Sequence, residues 1–157
     1  VRSVGEAVMA ADRLLETAKA QADAQVSERN AREKAELMRQ LGMDEGESAT
    51  KASRTMIRQL EEDQKRRSKR ALTDAIDRAL IDLLAIYRDV LMVQVGGDGE
   101  LINTDLSVLV HEIAQDSAPR QTLARVDHIE TARKRLVSNG NPLLVLEDMA
   151  ISLRPQA

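Results

Sequence analysis

His111-Glu112 opens a stretch that begins like the H-E-x-x-H signature of zinc hydrolases. In that signature two imidazoles one helical turn apart hold the metal, and the glutamate activates a bound water. Here the fifth position is Gln115, so the second imidazole is missing. His128 stands beside Asp127 on an amphipathic stretch with no nucleophile motif, and reads as a solvated surface group. Gly96-Gly97-Asp98-Gly99 has the glycines of a phosphate cradle without its strand–loop–helix context or a G-K-[ST], so it reads as a turn. The run from Gly46 to Lys51 lacks the second glycine of a nucleotide loop, and Asp44-Glu45-Gly46-Glu47 lacks the alternating ligands of a calcium loop. Without cysteine there is no disulfide, thiolate ligand or thiol nucleophile. The expectation is a non-enzymatic chain with no metal, cofactor or small-molecule ligand.

One charge feature remains, Lys65-Arg66-Arg67 with Lys69-Arg70. It supports two readings. As a phosphate-contacting face it would make the chain a nucleic-acid-binding accessory helical domain. As ordinary helix chemistry, Glu61–Lys65, Glu62–Arg66 and Asp63–Arg67 are i, i+4 pairs with the acid placed first, each contributing ~0.2–0.5 kcal/mol. No aromatic residue lies nearby to stack on bases, which favours the second.

These residues sit on helices. The 157 residues carry a formal charge of −3, too balanced for a dedicated nucleic-acid or membrane binder. With one tyrosine, Tyr87, and no Phe or Trp, core packing must rest on Leu, Val, Ile, Met and Ala. No apolar run approaches the ~20 residues of a membrane span. Glu6 and Asp12 argue against a signal peptide, so a cytoplasmic module is expected. Val1 in place of Met points to a piece of a larger chain.

Ser3-Val4-Gly5-Glu6 has capping-box form ahead of apolar positions Val4, Val8, Ala11, Leu15, Ala18 and Ala22. Beyond Ala22 the stripe thins to Val26, Ala31, Ala35, Met38 and Leu41, and Gly42 ends the helix before a polar loop to Thr50. From Arg54 to about Gln94 apolar residues recur at helical spacing without proline or glycine, which predicts a rod of roughly forty residues and ~60 Å. The charged run Glu61–Arg70 interrupts that stripe. The two weak halves flank one loop, so residues 19–70 are expected to form a projecting helical hairpin arm, with Met38 and Leu41 meeting Met56, Ile57 and Leu60. Three shorter helices follow. One is capped by Asn103-Thr104-Asp105 and carries Leu106, Leu109, Val110 and Ile113. The next starts at Pro119 with Leu123, Val126, Ile129 and Leu136 on one face. The last opens at Asn141-Pro142 with Leu143, Leu146, Ala150 and Leu153 inward. The fold class is all-α, a bundle of about five helices with a long hairpin arm.

Three segments together carry a resemblance: Ala79–Leu91 with Tyr87-Arg88-Asp89 inside it, then Leu101-Ile102-Asn103, then Asn139-Gly140-Asn141-Pro142-Leu143-Leu144-Val145-Leu146-Glu147. This series resembles the C-terminal collar domain of bacterial DNA polymerase III delta-prime subunits and, more loosely, other clamp-loader subunits. The most specific piece is N-x-N-P-x-L-x-L-E, matched at Asn139, Asn141, Pro142, Leu146 and Glu147. The resemblance covers about Arg70 to Leu153, and Val1 to Ala22. It implies a single collar domain over 1–157 whose two N-terminal AAA+ modules lie outside this chain. It also implies collar contacts with gamma/tau and delta subunits in a ring of five that loads a sliding clamp on primed DNA, with DNA and clamp touched only indirectly. The ATP site and arginine finger of such subunits lie outside this stretch, so this chain is expected neither to bind nor to hydrolyse ATP. The final two helices and the later half of the long helix are expected at the contact, with Leu144, Val145 and Ile151 on an outward face.

Overall fold

A computed structural model describes residues 2–42 and 50–155. The expected loop, its acidic patch and its glycine-bearing run fall largely on residues 43–49, outside the described residues. The described chain is all-α: α1 (Val4–Gln40), α2 (Lys51–Gln94), a 3-10 turn (Thr104–Leu106), α3 (Ser107–Gln115), α4 (Pro119–Val137) and α5 (Pro142–Ser152). Each long helix begins on a hydroxyl cap. Ser3 Oγ accepts the Glu6 N–H at 3.1 Å, and Glu6 returns to the Arg2 N–H at 2.6 Å. Bonding to the backbone of Arg2 and then Ser3 holds the Glu6 carboxyl below its usual range. Thr50 Oγ1 accepts the Ser53 N–H at 3.1 Å, so α2 starts at Lys51 rather than the expected Arg54.

The chain divides into two compact units. The first comprises residues 1–17 and 76–157. Its core takes Ala7, Ala11 and Leu15 from α1, then Ile76, Leu80 and Val90 from α2. Val110 of α3, Ile129, Ala132 and Leu136 of α4, and Val145, Leu146, Met149 and Ala150 of α5 complete it. Fully buried side chains such as Ile76, Leu80, Ile129 and Leu146 each contribute about 1.5–3 kcal/mol. Arg133 of α4 grips Asp77 of α2 through two bonds, Nε–Oδ1 at 2.7 Å and Nη2–Oδ2 at 3.3 Å.

Two faces differ from their expected registers. In α4 the buried stripe is Thr122, Arg125, Ile129, Ala132 and Leu136, while Leu123 is 51% exposed. Both 122/125/129 and 123/126/129 are helical stripes, and hydropathy favours the wrong one. The buried one is selected by a polar network. Thr122 Oγ1 donates to Gln94 Oε1 at 2.8 Å, and Gln94 Nε2 donates to the Ser117 carbonyl at 2.7 Å. Ser117 Oγ in turn donates to the Ile113 carbonyl at 2.6 Å. In α5 the inward face is Val145, Leu146, Met149 and Ala150, with Leu143 and Leu153 only half-buried.

The second unit is residues 18–75, a range that includes all of 19–70. Ala18 is buried, and Ala22, Val26 and Ala71 form a small apolar cluster with Leu72 against it. Farther along the helix pair polar groups take over. Gln64 Nε2 donates to the Asn30 carbonyl at 2.8 Å, and Arg67 Nη1 donates to Asn30 Oδ1 at 2.8 Å and Glu33 Oε2 at 2.9 Å. Met38, Leu41, Ile57 and Leu60 are half-buried, whereas Met56 is exposed.

Replacing Gln94 with leucine deletes the partner of a fully buried hydroxyl and of the α3–α4 junction together. Gln94→Leu is expected to lower unfolding free energy by about 2–3 kcal/mol in urea titration, against less than ~0.5 kcal/mol if the network were incidental.

Candidate functional site

The Tyr87-Arg88-Asp89 segment holds the first unit's polar centre. Asp89 is 0% exposed. Its Oδ1 accepts the Ile102 N–H at 2.9 Å and Arg88 Nη1 at 3.0 Å, and its Oδ2 accepts the Asn103 N–H at 2.8 Å and Asn103 Nδ2 at 3.0 Å. Burial pushes the carboxyl upward, but the bonds from Asn103, Ile102 and Arg88 outweigh it and leave the pKa below the ordinary 3.8. Asn103 still stands at the N-cap of the following turn, its carbonyl accepting the Leu106 N–H, but its side chain makes no cap bond there. Arg88 also donates to the Glu100 carbonyl at 3.2 Å, so the later part of the connection that leaves α2 is tied back to α2.

The Asn139-Gly140-Asn141-Pro142 junction has a geometric explanation residue by residue. Asn139 sits at φ 65°, the left-handed position just past α4. Its N–H donates to the Leu136 carbonyl and that of Gly140 to the Arg135 carbonyl, the paired bonds of a Schellman end. A Cβ at Gly140 would lie 2.7 Å from the Arg135 carbonyl oxygen and 2.9 Å from Val145 Cγ2. Asn141 Oδ1 then accepts the Leu144 N–H at 3.2 Å as the cap of α5, and Pro142 takes the first helical position. One helix is closed and the next opened within four residues, aiming α5 back along α4. Gly96-Gly97 ends α2 by the same Schellman pattern, Gly96 at φ 68°.

Leu144 is 63% exposed and Ile151 half-buried, whereas Val145 is buried in its own unit. Val145 therefore leaves the outward face on which it was expected, because the Val145–Met149 ridge, not Leu143–Leu153, faces the core. Glu147 is half-buried, and its neighbour Asp148 pairs with Arg135.

The basic run lies in the second unit. Arg67 is engaged with Glu33 and Asn30, and Arg66 pairs with Asp63 at i, i+3. Glu61 reaches Lys34 of α1 at 3.4 Å. The expected i, i+4 ladder thus gives way to one i, i+3 pair within α2 and to pairs across the two helices. Bonds from Arg67 and then Arg29 hold the Glu33 carboxyl down at about 2. Among the described residues Lys65, Lys69 and Arg70 have no acidic partner.

His111 and His128 are exposed, and His111 Nδ1 lies 2.7 Å from the Ser107 carbonyl oxygen, one turn back on its own helix. Among the described residues no group of three acidic or histidine side chains is placed to hold a metal, and no helix is long and apolar enough to cross a membrane.

A cavity of about 530 Å³ in the first unit was not foreseen. Leu14, Leu83, Leu146, Met149 and Leu153 form apolar wall, and Tyr87 and Arg125 bring polar groups to it. Burial raises the Tyr87 pKa, opposed by the nearby positive charge of Arg125. The sequence signal for Arg125 was its place on the 122/125/129 stripe, obscured by Leu123.

This chain is similar to DNA polymerase III subunit delta' of Bacillus subtilis (strain 168). Identity is 35% over 72 residues, which are 46% of this chain and 22% of that protein. The matched stretch is thus about a fifth of that relative's length. No family model matches, and no solved structure matches.

The Asp89 clamp sets a pH dependence. Because its folded pKa is depressed, the unfolded chain takes up the proton first as pH falls. The clamp's contribution is therefore complete above the ordinary 3.8 and is lost as pH falls from there through the lowered folded value. Asp89→Asn puts an amide NH₂ among N–H donors and is expected to cost about 3 kcal/mol at pH 7, the difference from wild type shrinking as pH falls below the ordinary carboxylate value in urea titrations.

Proposed function

We propose that this chain is the collar domain of a delta-prime-type clamp-loader subunit, a non-catalytic oligomerisation module within the DNA polymerase III system. The observation that carries the reading is the 35% identity to a DNA polymerase III subunit delta' across 46% of the chain. The helical architecture is compatible with it, and the N-G-N-P junction supports it by giving the motif on which the resemblance rests a structural task. On this reading the chain spans one collar domain over 1–157, residues 19–70 are a helical hairpin arm, and the AAA+ modules belong to the rest of the subunit. Its partners are gamma/tau and delta collar domains, with the sliding clamp and DNA reached indirectly. Leu144 is the strongest contact candidate on α5, since it is large, apolar and 63% exposed beside the well-packed Val145 and Leu146.

The chain is expected to co-purify with the collar region of the gamma/tau subunit, and Leu144→Glu to weaken that association about tenfold with unchanged helicity. Absence of co-purification for both this chain and a full-length subunit containing it sinks the assignment.

A second reading rests on Lys65, Lys69 and Arg70, exposed and without an acidic partner among the described residues. With Arg66 and Arg67 engaged, this leaves a small cationic set for phosphate. Affinity for primed DNA is expected to show no steep salt dependence. A log–log slope near −0.9 per phosphate contact, reduced by Lys65→Ala and Lys69→Ala, would favour the nucleic-acid reading instead.

A further inference from the structure

We infer that the cavity between α1, α2, α3, α4 and α5 of the first unit is a binding site for a small amphipathic monocarboxylate, with Tyr87 and Arg125 taking the carboxylate and the leucine wall taking its apolar chain. The inference does not depend on the clamp-loader reading. Two mostly buried side chains of this unit carry polar atoms that no described residue engages. Arg125 is 7% exposed and Tyr87 8% exposed. Neither the guanidinium nor the phenol hydroxyl makes a hydrogen bond or ion pair with a described residue, and since no fully enclosed side-chain polar atom among the described residues lacks a partner, these polar atoms are open to solvent rather than sealed in the core. Both line the same cavity. A guanidinium with unengaged donors on an apolar-walled cavity suits a carboxylate in the forked geometry it can donate to. The Tyr87 phenol is protonated at neutral pH, as tyrosines ordinarily are, so it too presents a donor.

Arg125 also borders a smaller cavity of about 150 Å³ with His128 and Arg154. Arg154 thus stands on the same smaller cavity as Arg125, and two guanidiniums suit an anionic head. Glu112 and Asp116 also border the larger cavity and are solvent-exposed, so a multiply charged ligand such as a phosphate ester is repelled there while a monoanion is tolerated. The apolar wall of Leu14, Leu83, Leu146, Met149 and Leu153 asks for a hydrocarbon portion. A volume of about 530 Å³ lies within the ~300–1,000 Å³ usual for small-molecule sites.

The chain supplies its own reporter. Tyr87 is the sole tyrosine and there is no tryptophan, so tyrosine emission comes from this cavity alone. Octanoate is the probe, with 1-octanol and acetate as controls for its head and its tail. Titration of the 157-residue chain with octanoate is expected to give a saturable change in Tyr87 emission, with 1-octanol and acetate each binding about tenfold or more weakly. Arg125→Met keeps the apolar length but removes the charge, and is expected to erase the preference for octanoate over 1-octanol. Tyr87→Phe, followed by calorimetry, is expected to weaken octanoate several-fold and leave 1-octanol unchanged. If Arg125→Met loses its circular-dichroism helicity, Tyr87→Phe and the two controls carry the decision. No saturable change, equal binding of octanoate and 1-octanol, or acetate matching octanoate overturns the proposal.

Discussion

A carboxylate with no exposure to water must collect donors from whatever backbone can reach it, and Asp89 collects them from the loop that leaves α2. The two consecutive N–H groups of Ile102 and Asn103, the Asn103 amide and the Arg88 guanidinium converge on its two oxygens. The path of residues 95–103 follows from that requirement, and with it the point where α3 starts. Five residues along the same helix, Gln94 performs the second fastening, joining Ser117 and Thr122 at the α3–α4 junction. Apolar packing in this unit supplies most of the burial energy, but hydrocarbon contact is not directional. The two polar fastenings choose among the registers that packing alone would tolerate.

The second unit solves a different problem with different chemistry. Its apolar cluster is limited to Ala22, Val26, Ala71 and Leu72, so it has little hydrophobic area with which to fix the pairing of its helices. Arg67 supplies the missing specificity by binding Asn30 and Glu33 together, while Gln64 satisfies the Asn30 carbonyl. A partly shielded, forked guanidinium holds geometry better than an exposed lysine pair such as Lys34–Glu61. This is why part of a run that looks like a nucleic-acid patch is structural.

On the proposed oligomerisation role, α5 carries both core and contact. Its Val145–Met149 ridge is committed to the unit's interior, which leaves Leu144 as the large apolar group facing outward. The cavity belongs to the same unit and is bounded by five helices, so occupation of it is energetically linked to their packing.

Much of the fold was legible in order. Helix count, approximate boundaries, the glycine stops at Gly42, Gly96 and Gly140 and the proline starts at Pro119 and Pro142 all follow from local chemistry that acts within a turn or two. The N-G-N-P motif was legible as a junction for the same reason. Which face each short helix buries was less so, because on α4 and α5 more than one apolar stripe satisfies helical spacing. Leu123 lost to Thr122, and Val145 moved inward. By itself the sequence determined an all-α chain with a weakly apolar helix pair, since propensity, capping and periodicity are written residue by residue. Only the tertiary structure decided that Asp89 is a buried clamp, that Arg67 belongs to a helix–helix lock, and that Arg125 and Tyr87 meet unpaired at one cavity. The first two roles depend on what a distant segment brings within about 3 Å, the reach of a hydrogen bond, and the third on which helices wall one cavity; no local pattern encodes either.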